Sequence, residues 1–158
     1  MSASEAVDEA LARLVESGLV PVDGLAGCSE EEIGRFESAL GAPLPAAYRR
    51  FLARAGRSAG DFMVGSDLHY PGLLKLRAAA DELLEDDGTP FRLGPHQVVF
   101  LMHQGYQFLF LDDAGGDDPA VHHYLEGEEP NRVCNSFSEW LRIAVEDEIE
   151  AAEAARGS

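Results

Sequence analysis

Apolar residues recur at helical spacing through the first third of the chain and again at its end. The stripes consist of Val7, Leu11, Leu14 and Val15; of Ile33, Phe36 and Leu40; of Tyr48, Phe51, Leu52 and Ala55; and of Phe137, Trp140, Leu141, Ala144, Val145 and Ile149. Residues three and four apart share one face of a helix, so each stripe predicts an amphipathic helix with one buried face. A further helix is predicted over residues 78–87.

Polar residues, glycines and a proline mark the expected ends of these helices. Two pairs have the spacing of a capping box, in which a hydroxyl and a carboxylate satisfy the first free backbone N–H groups: Ser29 with Glu32, and Ser136 with Glu139. Glycines that predict helix ends follow the first three stripes, at Gly18, Gly41 and Gly56. Pro45, after Leu44, suits the first turn of the third helix, where an N–H would have no partner.

Between the helices lie runs of strand length that are rich in Val, Phe and Leu. Residues 98–102 and 108–111 are continuous apolar runs separated by a Gly-containing gap, which predicts a hairpin of central strands covered on much of both faces. Residues 121–125 and 132–134 predict two more strands, and 62–64 a short one. The order indicates an α+β fold with an antiparallel sheet of about four to six strands, packed against N-terminal helices and a C-terminal helix.

Length and composition indicate a single globular domain over residues 1–158. The chain is 46% hydrophobic and 26% charged, which is usual for such domains. Residues 1–28 are expected to form an N-terminal helix and connector, and residues 154–158 a frayed tail. Cys28 and Cys134 are too few for a disulfide scaffold and are expected to be reduced, packed thiols. We find no leader-like segment and no apolar run of ~20 residues, so a cytoplasmic location is expected.

The net charge of −17 is unevenly spread along the chain. Residues 1–57 carry −3 and residues 58–158 carry −14. Such a surface repels nucleic acid and anionic membranes and attracts a basic protein partner; solubility alone is the alternative explanation. Candidate partner-binding acids lie on the two predicted sheet turns: Asp112, Asp113, Asp117, Asp118, Glu126, Glu128 and Glu129. Tyr106 and Tyr124 are candidate anchors, with burial in the core as the alternative for both.

Patterns typical of catalytic or metal sites are missing from the sequence. There is no GxSxG, HExxH, GxxxxGK[ST] or Rossmann glycine motif. Neighbouring residues on a strand point to opposite faces, so His122 and His123 are not expected to share a metal ion. A calcium loop that began at Asp113 would have Tyr124 where a glutamate is needed. No third group is evident to orient Cys28 and a histidine for catalysis. We therefore predict a protein that is not an enzyme and has no metal or cofactor.

Several stretches resemble the SUKH superfamily, which contains fungal Smi/Knr cell-wall regulators and bacterial toxin-immunity proteins. Residues 30–56 read EEEIGRFESALGAPLPAAYRRFLARAG, similar to the family's helix and its "lg..LP..y..fl...nG" passage, although Ala55 stands where the family has Asn. Residues 108–124, FLFLDDAGGDDPAVHHY, resemble its strand, acidic turn and next strand. Residues 135–145, NSFSEWLRIAV, resemble its closing helix. The resemblance covers about residues 29–150. It rests mainly on residues that packing also explains: Ile33, Phe36, Leu40, Leu44, Pro45, Tyr48, Phe51, Leu52, Gly56 and Trp140.

The resemblance implies an α+β fold and a role in binding another protein. In bacteria it implies an immunity protein that inactivates a cognate toxin, often a nuclease. Together with the acidic charge, it leads us to expect an acidic surface that masks the basic active site of the toxin. A regulatory scaffold that binds signalling proteins is the alternative. The sequence carries no signal for oligomeric state.

Overall fold

The computed structural model describes residues 1–112 and 116–157 and confirms the α+β class. The helices are α1 (Ala3–Glu16), α2 (Glu30–Leu40), α3 (Ala46–Ala55), α4 (Leu76–Asp87) and α5 (Phe137–Arg156). The strands are β1 (Leu25–Ala26), β2 (Ser58–Ala59), β3 (Ser66–Asp67), β4 (Val98–His103), β5 (Gln107–Leu111), β6 (Val121–Leu125) and β7 (Asn131–Cys134). A short 3-10 helix, Gly72–Lys75, leads into α4.

The helix boundaries follow the capping signals closely. The Glu32 N–H donates to Ser29 Oγ at 3.1 Å and the Ser29 N–H donates to Glu32 Oε1 at 2.9 Å, which confirms the predicted capping box of α2. Gly41 ends α2 with φ +80°, a backbone conformation that glycine adopts without strain. Pro45 lies one residue before α3, as its N-cap, and not inside its first turn. The last helix, α5, continues to Arg156. It therefore includes residues 154–156, which the sequence predicts to be frayed.

Five strands form one antiparallel sheet in the order β3-β4-β5-β6-β7, and β1 pairs with β2 in a separate two-stranded sheet. Every strand of the larger sheet therefore pairs with its neighbour along the chain. The strand predicted at 62–64 is wrong, since those residues form a turn between β2 and β3. Met63 has φ +55°, which is incompatible with an extended strand, while Phe62 still packs into the core.

The sheet has two faces, which different parts of the chain cover. Phe108, Phe110 and Tyr124 lie on what we name the first face, because they alternate along β5 and β6 and pair across them. Phe91, in the segment after α4, packs on Phe110 with 5.7 Å between ring centroids. The opposite, second face contacts α3 and α5 through Phe100 of β4. The pairing register between β4 and β5 shifts at this residue. The prediction of strands covered on both faces is confirmed for β4.

An aromatic cluster at this second face joins the helices to the sheet. The ring of Phe100 lies 5.9 Å from Tyr48, 5.4 Å from Phe137 and 4.9 Å from Trp140, all centroid to centroid. These four side chains are each at most 8% exposed. Gly56, directly after α3, packs closely against the segment that precedes α2. A side chain would not fit at this position, because its Cβ would lie 2.6 Å from the Cys28 sulfur. The residues that carry the family resemblance thus build the core.

The N-terminal helix is attached by ion pairs as well as by apolar packing. The Asp8 carboxylate of α1 accepts hydrogen bonds from Arg50 and Arg54 of α3, both at 2.8 Å. These guanidinium groups lower the pKa of Asp8, with the hydrogen bond from Arg50 as the largest cause. Arg13 donates to Glu146 of α5 at 2.8 Å. The arginines of α3 thus pair with acids on neighbouring helices.

Candidate functional site

The two acidic turns proposed as one binding surface lie at opposite ends of the sheet. The first follows β5 and the second follows β6, and consecutive hairpin turns of a meander alternate between ends. The five residues of β6 separate them by about 17 Å at the usual rise per residue of a strand. The seven candidate acids therefore form two groups, and each must be considered separately.

The first turn, residues 112–120, holds helix ends in place. The Asp118 carboxylate accepts hydrogen bonds from the Ser138 N–H at 2.9 Å and from the Ser138 hydroxyl at 2.5 Å, in the first turn of α5. The Asp117 carbonyl accepts from the Ala47 N–H at the start of α3. Asp112 lies 3.7 Å from His122, and Asp113 falls outside the described residues. Asp118 is therefore half-buried, and its carboxylate already has hydrogen-bond donors within the chain.

The second turn, residues 126–130, is exposed. Glu126, Glu128 and Glu129 all point to solvent. The Glu126 N–H donates to the Tyr106 carbonyl at 3.0 Å, which ties this turn to the β4–β5 turn beside it. Tyr106 is half-buried, and its ring lies 6.0 Å from that of His103. It remains a candidate anchor at the edge of the acidic turn.

The C-terminal end of α4 meets this second turn through Tyr124. The Tyr124 hydroxyl donates to the Asp87 carboxylate at 2.5 Å, and the side chain is 1% exposed, so of the two alternatives for Tyr124 the structure shows the core. Burial, the hydrogen bond to Asp87 and the negative charges of Asp87 and Glu126 raise the pKa of Tyr124 to about 12. We name the combined surface the acidic end. It comprises Glu85, Asp86, Asp87, Glu126, Glu128 and Glu129, with Tyr106 beside them.

In the part of the chain that the structure describes, the acidic end has no cationic partner at ion-pair distance, unlike several acids of the helical layer. Acids on the helical layer pair with arginines: Asp8 with Arg50 and Arg54, Glu30 with Arg49, Glu31 with Arg35, and Glu32 with Arg57. Within residues 1–112 and 116–157, none of the six acids of the acidic end forms an ion pair. Their charge is thus available to groups outside the chain, and carboxylates bind Lys and especially Arg through charge-assisted hydrogen bonds.

Histidine and cysteine geometry gives little support to metal or catalytic chemistry. His122 stacks on Phe110 while His123 Nε2 lies 2.8 Å from Gln107 Oε1, so the two rings occupy opposite faces as strand alternation predicts. Among the described residues, no group of three or more His, Cys, Asp or Glu is placed to hold a metal ion. Burial raises the pKa of Cys28, which is opposite to the activation that a nucleophilic thiol requires. Both cysteines are free.

One contact at this end has no signal in the sequence. Tyr124 and Asp87 are 37 apart in the chain, so no local pattern reveals their hydrogen bond. The acidic run that closes α4 is visible in the sequence, because negative charge at the negative end of a helix dipole is unfavourable, and such a local conflict can mark a functional site. No helix in the described residues has the length and hydropathy required to cross a membrane.

Comparison with known families gives one match. The model of the family described as SMI1 / KNR4 family (SUKH-1) matches residues 27–143. The matched segment runs from just before α2 into the first two turns of α5, so α1 lies outside it. A search of curated proteins finds no match to the chain.

Proposed function

The chain belongs to the SMI1 / KNR4 family (SUKH-1), whose model matches most of it, and on that premise we propose that it is a non-catalytic immunity protein. In this proposal it binds a cognate toxin and blocks the toxin's active site. A nuclease is the toxin class that fits best, since a nuclease cleft carries cationic side chains that hold phosphates. The protein would act where the toxin acts, in the cytoplasm.

The observation that supports this proposal most is the unpaired charge of the acidic end. Carboxylates that form no ion pair among the described residues can replace the phosphates of a nucleic acid against Arg and Lys of the toxin. Complementary charge of this kind mainly raises the association rate, while buried apolar contacts slow dissociation. Glu126, Glu128 and Glu129 lie on an exposed turn, where binding residues are common.

The test is co-expression with the domain encoded by the adjacent gene, which is the candidate toxin. Growth of the host and binding of the purified domain are measured for the wild type and for a variant that carries Glu126→Gln, Glu128→Gln and Glu129→Gln. A matched control removes the same charge from α1 and the loop after it, through Glu9→Gln, Glu16→Gln and Asp23→Asn. These three residues are also exposed.

We expect the wild type to rescue growth and to form a stoichiometric complex. The acidic-end variant should associate about tenfold more slowly at low salt, and the gap should narrow toward ~0.5 M salt, where the Debye length is a few ångströms. The control should associate at close to the wild-type rate. Equal slowing of both variants would indicate that net charge alone matters. Absence of rescue and of binding would refute the immunity role and favour a scaffold for signalling proteins.

A further inference from the structure

One half of the second face of the sheet is left open by the helices. Across the sheet, Val98, Leu111 and Val121 form a row of paired residues that are at most 3% exposed. The next row along the same face consists of Leu101, Leu109 and His123, and the last two of these are only half-buried. Burial therefore decreases along this face toward the acidic end.

The open half continues into a groove beside the exposed side of α5. One depression of about 190 Å³ lies over Leu101, Leu109 and His123, and a second of about 300 Å³ lies along Ile143 and Ala144. Met63 borders both, so they adjoin. We name this feature the sheet–helix groove. Most of its exposed lining is apolar, although Ser66, His103, Gln107 and His123 also line the sheet side. Ile143 is 36% exposed there.

The polar rim of the groove carries negative charge. Asp147 and Glu148 line the α5 side. On the sheet side burial lowers the pKa of His123, and the nearby Glu128 carboxylate of the acidic end opposes that effect. Glu128 itself lies outside the lining of the groove, on the exposed turn that follows β6. An apolar trough with acids at its rim is complementary to a segment with apolar residues on one side and Lys or Arg on the other.

The loop that borders the groove is held in an unusual conformation. Met63 has φ +55°, which is costly for a residue with a long side chain. The next residue, Val64, is 79% exposed. Methionine adapts its shape readily to an apolar ligand, and strained backbone is common at binding sites.

We propose that the sheet–helix groove takes an amphipathic, cationic segment of the partner protein. The apolar side of that segment would pack on Met63, Leu109 and Ile143, and its basic residues would face Asp147 and Glu148. The identity of the partner rests on the proposed function, whereas the groove can be tested without it.

The first test uses a synthetic helical peptide of leucine and lysine, with a lysine–serine peptide of equal length and charge as control. We expect the leucine–lysine peptide to shift the NMR signals of Met63, Leu109, Ile143 and Ala144, and the control peptide to leave them unchanged. Identical shifts from both peptides, or shifts confined to other surfaces, would overturn the proposal.

The second test compares two substitutions at similar aliphatic sites. Ile143→Lys removes apolar surface and adds a repelling charge inside the groove, while Leu74→Lys does the same at a residue that is 39% exposed elsewhere. Ile143→Lys should weaken binding of the leucine–lysine peptide and of the adjacent-gene toxin domain by about tenfold or more, as loss of a central anchor does. Leu74→Lys should change both affinities less than about twofold. Melting temperatures check that both variants are folded.

The outcomes separate this proposal from the immunity role. A toxin that is neutralised equally well by Ile143→Lys and by the wild type overturns the groove proposal and leaves the immunity role intact. Conversely, the immunity role fails if the adjacent-gene domain is not bound. The groove proposal is still supported in that case if the leucine–lysine peptide binds and Ile143→Lys weakens its binding as expected.

Discussion

Carboxylates of the same type have different roles here because they meet different backbone and side-chain groups. Asp118 accepts two hydrogen bonds from Ser138 and so stabilises the start of α5. Asp87 accepts the hydroxyl of Tyr124 and so joins α4 to the sheet. Glu128 is exposed and has no ion-pair partner among the described residues. The role of an acid in this protein thus follows from the donors within its reach.

The role of Asp118 leads to a prediction about stability. Asp118→Ala should lower the free energy of unfolding by about 1–2 kcal/mol, since it leaves N–H and O–H donors at a helix start without a partner. Asp117→Ala is the matched control, because Asp117 is exposed and contributes its backbone carbonyl. Urea unfolding of both variants measures the difference. A loss of less than about 0.5 kcal/mol for Asp118→Ala would show that water replaces the cap.

Local signals at the residue level were predictable, and contacts between distant residues were not. The capping box of Ser29 and Glu32 is visible in the sequence, because its members are three positions apart. Asp118 and Ser138 are 20 positions apart, and nothing in the spacing of either residue indicates the other. The same limit applies to Tyr124 and Asp87. Such contacts depend on how whole elements pack.

At the level of elements, long periodic segments were predicted well and the irregular middle of the chain was not. All five helices and the four strands β4 to β7 lie within a few residues of where the sequence predicts them. The strand prediction for residues 62–64 is wrong because a run of three apolar residues does not distinguish a strand from a buried turn. Phe62 is 2% exposed in that turn, so burial alone explains its apolar side chain.

Docking of α5 depends on Trp140 in particular. Its ring lies between the helix and Phe100, and it is 8% exposed. We expect Trp140→Ala to lower the free energy of unfolding by about 3–5 kcal/mol, as other large-to-small aromatic changes in cores do. Ile143→Ala, on the exposed side of the same helix, should cost about 1 kcal/mol or less. If urea melts gave equal losses for both variants, α5 would not be docked through its Trp140 side.

At the level of the whole molecule, connectivity decides which charges act together. The sequence predicts the strands and both acidic turns, but treating those turns as one surface overlooks the alternation of turns in a meander. The structure instead joins the second turn to the end of α4, which is 39 residues or more away along the chain. Packing of α4 on the first face causes this pairing, and no pattern within either segment predicts it.

The ion pairs are distributed unevenly over the molecule. Residues 1–57, which contain α1, α2 and α3, carry a net charge of only −3, and several of their arginines pair with acids of neighbouring elements. Much of the net charge of −17 therefore lies on the sheet turns, the end of α4 and α5. A molecule with this asymmetry has a dipolar field that can orient a basic partner during approach.

The different anchoring of the two acidic turns has a consequence for tolerance to added residues. The Glu126–Pro130 connection joins strands that already pair, so a Gly-Ser insertion after Gly127 that doubles its length should cost about 0.6 kcal/mol of loop-closure entropy. The same insertion between Asp117 and Asp118 moves apart the carbonyl that is bonded to α3 and the carboxylate that is bonded to α5. It should therefore lower the free energy of unfolding by about 1–2 kcal/mol more than the first insertion does. Melting curves of the two insertion variants provide the comparison, and equal losses would contradict it. One end of the sheet can thus be remodelled in length and sequence while the other keeps the scaffold constant.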